Sequence, residues 1–145
     1  MSTHFRTGRH VIYDLHAHII LTPKYRKRVI TPRVQAAIEE KAREVCKRFD
    51  ASLDAIDGED DHIHLLVSYP PKVGLSTLVG ALKTNTSKHI RSLGYPEVKR
   101  ALWGDHFWSP SYCVISTGGA NLDTVKAYIE GQKTATRKAG RPKTH

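Results

Sequence analysis

Asp61-His62-Ile63-His64-Leu65-Leu66-Val67 is the stretch on which the reading of this chain turns. Successive side chains of a β-strand point to opposite faces, so Ile63, Leu65 and Val67 share one side and His62 and His64 share the other. One side can pack a core while the other presents two imidazoles. Neutral imidazole is the commonest metal ligand in proteins. The same pair could equally be a polar sheet face with no further role, and the surrounding sequence has to decide.

Working outward, residues 51–57 read as a short strand, Gly58 to Asp60 as a tight turn and 62–69 as its antiparallel partner, stopped by Pro70-Pro71. Residues 10–21 (HVIYDLHAHIIL) also alternate and read as a strand, with Tyr13, Leu15, Ala17, Ile19 and Leu21 on one face and a second pair, His16 and His18, on the other. A basic turn follows, containing Lys24, Arg26, Lys27 and Arg28. Thr31 before Pro32 starts a helix as N-cap and first-turn proline, and the stripe Val34, Ala37, Ile38, Ala42 and Val45 carries it to about Phe49. A second helix spans 75–92, with Leu75, Leu78, Val79, Leu82 and Ile90 apolar and Lys83, Lys88 and Arg91 basic. Residues 94–108 read as irregular and aromatic, 110–117 as a last strand, Gly118-Gly119 as a hinge, and 122–133 as a final helix capped by Asn121. The order β-α-β-β-α-β-α is that of an α+β protein, an antiparallel sheet with helices on one face. His62 and His64 would occupy the other face. Residues 1–133 read as one domain, and 134–145 as a basic tail short of apolar residues and expected to be disordered.

Composition narrows the partners. Lys and Arg number 23 against 14 Asp and Glu, a net charge of +9 and a pI near 9.7. Such a surface favours polyanions, because each neutralised phosphate releases condensed counterions. No apolar run approaches the roughly 20 residues that cross a bilayer, and no basic helix with a wide apolar face suits a membrane surface. Nucleic acid is the better partner. Cys46 and Cys113 lack metal-ligand spacing and read as reduced, buried small hydrophobes. With no signal-peptide pattern at the N-terminus, a cytoplasmic location is expected.

The final helix carries Tyr128 and Gln132, neighbours at i, i+4 on one helical face. Alone, Tyr128 reads as a half-buried packing residue. Together with the histidines, the pieces describe a site. Two imidazoles and an amide oxygen can hold a divalent cation with positions left for phosphate oxygens. A tyrosine hydroxyl beside them can attack phosphorus and form a covalent ester.

These residues resemble the small single-tyrosine HUH transposases of bacterial insertion sequences, the TnpA type, from about residue 10 to 133. The likeness is carried by His18-Ile19-Ile20 with Thr22-Pro23-Lys24-Tyr25-Arg26, by Asp61-His62-Ile63-His64-Leu65-Leu66, by Trp108-Ser109-Pro110-Ser111-Tyr112 with Gly118-Gly119, and by Val125 to Gln132. The resemblance implies the ferredoxin-like, RRM-like sheet of HUH endonucleases. It implies Tyr128 as nucleophile, His62, His64 and Gln132 as ligands, and Mg²⁺ or Mn²⁺ as the metal. It further implies cleavage and rejoining of single-stranded DNA at hairpin-bearing element ends, through a 5′-phosphotyrosine, by a homodimer. Gly118-Gly119 would let the tyrosine helix swing to either subunit. One departure is Lys83-Thr84-Asn85, where the family usually has Lys-Gly, so a straighter second helix is expected.

Several residues carry ordinary readings beside these. His16 and His18 are expected on the polar face near DNA rather than as the metal pair, and Asp61 as a turn residue that could assist the site. Lys24, Arg26, Lys27, Arg28, Lys83, Lys88 and Arg91 are candidates for phosphate contact. Trp103, Phe107 and Trp108 could stack on unpaired bases, although core packing is the commoner use. A non-catalytic nucleic-acid-binding module is the competing class, and it would carry aromatic pairs on its central strands. A host-domesticated single-tyrosine nuclease is the third reading.

Overall fold

The computed structural model describes residues 5–8, 10–102, 104 and 106–116. Strands β1 (Arg6–Thr7) and β2 (Ile12–Tyr13) form a small antiparallel ribbon. The main sheet follows: β3 (His16–Pro23), then α1 (Pro32–Arg48), β4 (Ser52–Glu59), β5 (His62–Ser68), α2 (Leu75–Leu93), α3 (Pro96–Ala101) and β6 (Trp108–Ser116). Its order is β4-β5-β3-β6, every pairing antiparallel. The expected α+β architecture is present.

The alternation in the sequence builds the layers. In β3 and β5 the register pairs Leu21 with Ile63, Ile19 with Leu65 and Ala17 with Val67. All six are buried, and Ile19, Leu21, Ile63, Leu65 and Val67 form one cluster with Val34, Ile38 and Val45 of α1 and Leu78, Leu82 and Ile90 of α2. Each Leu or Ile fully removed from water there contributes about 1.5–3 kcal/mol. The two long helices therefore lie on one side of the sheet. On the opposite side the same register sets Ile20 beside His64, His18 beside Leu66 and His16 beside Ser68. The histidines face away from the helical layer because Ile63, Leu65 and Val67 face into it.

Caps and glycines fix the ends. Thr31 accepts a hydrogen bond from the Val34 amide at 3.4 Å and Pro32 opens α1, as expected. Gly94 ends α2 in the left-handed conformation, φ 67°. Across Lys83-Thr84-Asn85 the helix is continuous. Gly58 lies inside β4 rather than in the turn, which falls at Asp60-Asp61. A Cβ there would sit 2.4 Å from the His62 carbonyl oxygen, so only glycine allows β4 to close on the start of β5.

Three elements differ from expectation. The strand expected over 10–21 is broken between Tyr13 and His16: the Tyr69 amide donates to the Leu15 carbonyl, and β2 pairs with β1 instead of the main sheet. Residues 94–108 contain a short helix, α3, opened by Pro96 and fastened to the start of α1 by Arg33 and Thr31, which both donate to Glu97. Phe107 and Trp108 are buried, packed edge to face at 4.6 Å, and the Trp108 indole donates to Thr86 at 2.9 Å. They are core residues and do not offer faces to unpaired bases. Gly118-Gly119, the final helix with Tyr128 and Gln132, Trp103 and the 134–145 tail lie outside the described residues. No helix among the described residues is long and apolar enough to cross a membrane.

Candidate active-site face

The outer face of β5 presents His62 and His64, and each has acquired a different partner. His64 Nε2 lies 2.7 Å from His18 Nδ1 on β3, and the two rings are 4.9 Å apart at 34°. His64 is displaced below the usual imidazole range by burial first and then by His18, and His18 is lowered by burial. Both displacements favour neutral rings, the form that binds cations. His64 can take a cation through Nε2 only by exchanging His18 for it.

His62 is buried, with Nδ1 3.1 Å from Asp61 Oδ1 and 3.9 Å from Glu59 Oε2. A carboxylate accepts only, so Nδ1 carries a proton toward Asp61 and Nε2 is the ring atom left to face a ligand. This is the usual way a protein orients a ligating histidine. One donor atom each from Glu59, Asp61 and His62 falls within a 4.8 Å group. Imidazole and carboxylate together are a donor set for a divalent cation such as Mg²⁺ or Mn²⁺. This group joins His62 to Glu59 and Asp61 rather than to His64, and Gln132 lies outside the described residues, but its donor chemistry suits the Mg²⁺ or Mn²⁺ that the resemblance implies.

Asp61 does more than close the β4–β5 turn. Its Oδ2 accepts from Arg26 Nη2 at 2.8 Å, so one carboxylate ties His62 to the basic turn after β3. The Arg26 side chain is 10% exposed, and its Nε and Nη1 are buried with no hydrogen-bond partner among the described residues. That turn is a 3₁₀ segment, Lys24–Arg26, in which both Tyr25 (φ 61°) and Arg26 (φ 53°) adopt left-handed backbone. Non-glycine residues held there cost on the order of 1–3 kcal/mol each and persist only when their surroundings insist. Here the Lys24 amide donates to the Phe107 carbonyl, the Ile30 amide to the Asp60 carbonyl, and Arg26 is fixed by Asp61.

The other basic candidates divide. Lys24, Lys83 and Lys88 line one cavity of about 480 Å³, with Thr84, Ser87 and His106. Lys83 is largely committed within it: its ammonium donates to the Ser109 and Pro110 carbonyls at 2.8 and 3.1 Å, and burial lowers its pKa. Lys27, Arg28 and Lys88 are exposed. Arg91 stands apart, beside Tyr95 and Leu102 in a smaller cavity.

His16 does not join His18. Its Nε2 faces Asp14 Oδ1 at 2.5 Å and its Nδ1 faces Ser68 Oγ at 2.9 Å, while Ser68 in turn donates to Asp54. Both histidines were expected on the polar sheet face near DNA; His18 instead is buried there as the partner of His64. The signal was available: any antiparallel register that buries Ile19 against Leu65 brings His18 near β5. Asp61 directly precedes the pair in sequence, but its partner Arg26 is 35 residues away and the pairing has no local sequence signal.

Comparison with known proteins gives this arrangement its place. The family described as "Transposase IS200 like" matches residues 11–132. The ISDra2 transposase TnpA of Deinococcus radiodurans is 30% identical over 127 residues, covering 88% of this chain and 90% of that protein. The transposase for insertion sequence element IS200 of Salmonella typhimurium is 28% identical over 123 residues, 85% of this chain and 80% of that protein. A crystal structure of a transposase from Deinococcus radiodurans R1 superposes with a TM-score of 0.76 at 30% identity, covering 88% and 97% of the two chains. A tyrosine transposase bound to a REP hairpin shares the fold, with a TM-score of 0.53 at 14% identity over 97% and 75% of the two chains.

These matches place the chain among the transposases, an enzyme class that cleaves DNA. The chain belongs to the IS200-like family, TnpA type.

Proposed function

We propose that this transposase cleaves and rejoins single-stranded DNA at the ends of an insertion element, with Tyr128 as nucleophile and His62, His64 and Gln132 as ligands of Mg²⁺ or Mn²⁺. The observation that carries the reading is the pair of histidines on the outer face of β5, one held by the Asp61 carboxylate and the other paired with His18 of β3. The family match extends to residue 132 and so takes in Tyr128 and Gln132. A bound divalent cation would polarise the scissile phosphate as a Lewis acid.

The chain's own residues supply the rest. The Tyr128 hydroxyl oxygen bonds to phosphorus, the bond from phosphorus to the 3′ oxygen breaks, and that oxygen leaves as a free 3′ hydroxyl after taking a proton. The product is a 5′-phosphotyrosine, and attack by a 3′ hydroxyl reverses it without ATP. Asp61 holds the His62 ring in one tautomer, and Arg26 holds Asp61. Lys27, Arg28 and Lys88 are exposed and suit backbone phosphates, with Lys24 at the cavity mouth. The REP-hairpin complex of the distant relative supports a hairpin substrate, and a homodimer that shares tyrosine helices fits the glycine pair at 118–119.

Labelled single-stranded oligonucleotide on a denaturing gel tests this. The wild-type chain should form a protein–DNA adduct with Mn²⁺ or Mg²⁺ and none in excess chelator. Tyr128→Phe should bind the same DNA and form none. An adduct that persists in Tyr128→Phe, or in chelator, overturns the assignment.

A further inference from the structure

Tyr25 is 75% exposed, at the tip of the turn that joins β3 to α1. The ring is not there by default, because its backbone sits at φ 61°, where tyrosine is rare, and the next residue repeats the conformation. Neighbouring interactions hold the turn in that shape, through Arg26 on Asp61 and Lys24 on the Phe107 carbonyl. The result is an aromatic ring turned into solvent between cations: Lys24 lies 5.4 Å from the ring centre, and Lys27 and Arg28 follow it, both exposed. Beside the ring opens a cavity of about 500 Å³, lined by Tyr25, Lys24, Lys27, Leu102 and His106, roomy enough for a nucleotide. Phe107 and Trp108, the aromatics expected to meet bases, are buried. Tyr112, also partly exposed, lies on the edge strand over the Lys83 ammonium at 5.5 Å.

We propose that Tyr25 is the stacking platform for one unpaired nucleobase of the DNA substrate, with Lys24 and Lys27 on the phosphates that flank it. The inference rests on the single-stranded DNA reading above and adds to it a residue and a ligand group. A flat, exposed ring among lysines matches the two chemistries of an unpaired nucleotide, a π-face and an adjacent negative charge. A fully paired duplex offers the charge but hides the faces of its bases.

The test uses the full chain in chelator, so that no cleavage intervenes. Binding is followed by anisotropy on single-stranded hairpin oligonucleotides in which 2-aminopurine is moved one position at a time through the unpaired segments. Wild type should quench one position by stacking. Tyr25→Phe should keep both quenching and affinity. Tyr25→Gly should lose the quenching and weaken binding about five- to a hundredfold, yet melt at a higher temperature because glycine relieves the left-handed backbone. Binding of a blunt duplex should not change. If wild type binds the single strands and Tyr25→Gly matches it in affinity and quenching, the Tyr25 proposal is wrong and the single-strand reading stands. If wild type prefers the blunt duplex, the single-strand reading falls and the stacking role falls with it.

Discussion

Replacing Asp61 by alanine probes the link that orders the outer face. The carboxylate and the Arg26 guanidinium are 2.8 Å apart, with side chains only 11% and 10% exposed. Two other guanidinium nitrogens, Nε and Nη1, already lack partners among the described residues. Asp61→Ala leaves the whole cation buried and uncompensated, and removes the acceptor of His62 Nδ1. Breaking a buried pair from one side costs about 3–5 kcal/mol. In a chain of this length, about 3 kcal/mol lowers the melting temperature by roughly 6–12 °C. Urea unfolding followed by far-ultraviolet circular dichroism should show that loss. The double variant Arg26→Met with Asp61→Leu should lose less than Asp61→Ala alone, because no buried charge is left over. Losing its oriented ring, His62 in Asp61→Ala should also weaken Mn²⁺ binding about 10- to 100-fold. A loss of under about 1 kcal/mol in Asp61→Ala, or a double variant less stable than the single, would refute the reasoning from burial.

Other outcomes follow from single contacts. Gly58→Ala forces a Cβ against the His62 carbonyl and should cost about 1–3 kcal/mol by overpacking, with His62 displaced, as read by unfolding and by its imidazole resonances. Trp108→Phe removes the donor to buried Thr86 and part of the packing on Phe107, and should cost about 1–3 kcal/mol in the same assay. Arg33 and Thr31 hydrogen bonds hold the Glu97 carboxyl at about 2, down from 4.5. A lowered carboxyl stabilises the fold above its unfolded value, and that contribution is lost as pH falls from 4.5 toward 2. Glu97→Gln should therefore flatten this part of the stability–pH curve, by a modest amount because Arg33 is half exposed.

The layered fold was legible because burial imposes a period. Ile63, Leu65 and Val67 alternate with His62 and His64, and the Val34–Val45 stripe repeats at helical spacing, so strand, helix and facing direction are written in the sequence itself. Thr31-Pro32 marked a helix start for the same local reason. What stayed hidden depends on pairing between distant segments. The break after Tyr13 rests on where Tyr69 donates, and α3 forms where Glu97 can reach Arg33. His18 gains its role only through a register that brings β3 beside β5. Arg26 looked like one charge in a solvated run. Its burial follows from left-handed backbone at Tyr25 and Arg26, and no residue type in Lys-Tyr-Arg announces that conformation. Phe107 and Trp108 show the limit from the other side, since composition gives an aromatic cluster without saying whether it faces water.

The central claim is that the outer face of β5 holds the cation and receives the phosphate. Anomalous scattering from crystals grown with Mn²⁺ tests it most directly. A peak bonded to imidazole nitrogens of both His62 and His64, with His18 released from His64, is the expected result. A peak seated instead among Asp14, His16 and Asp54, with the two β5 histidines untouched, would contradict it.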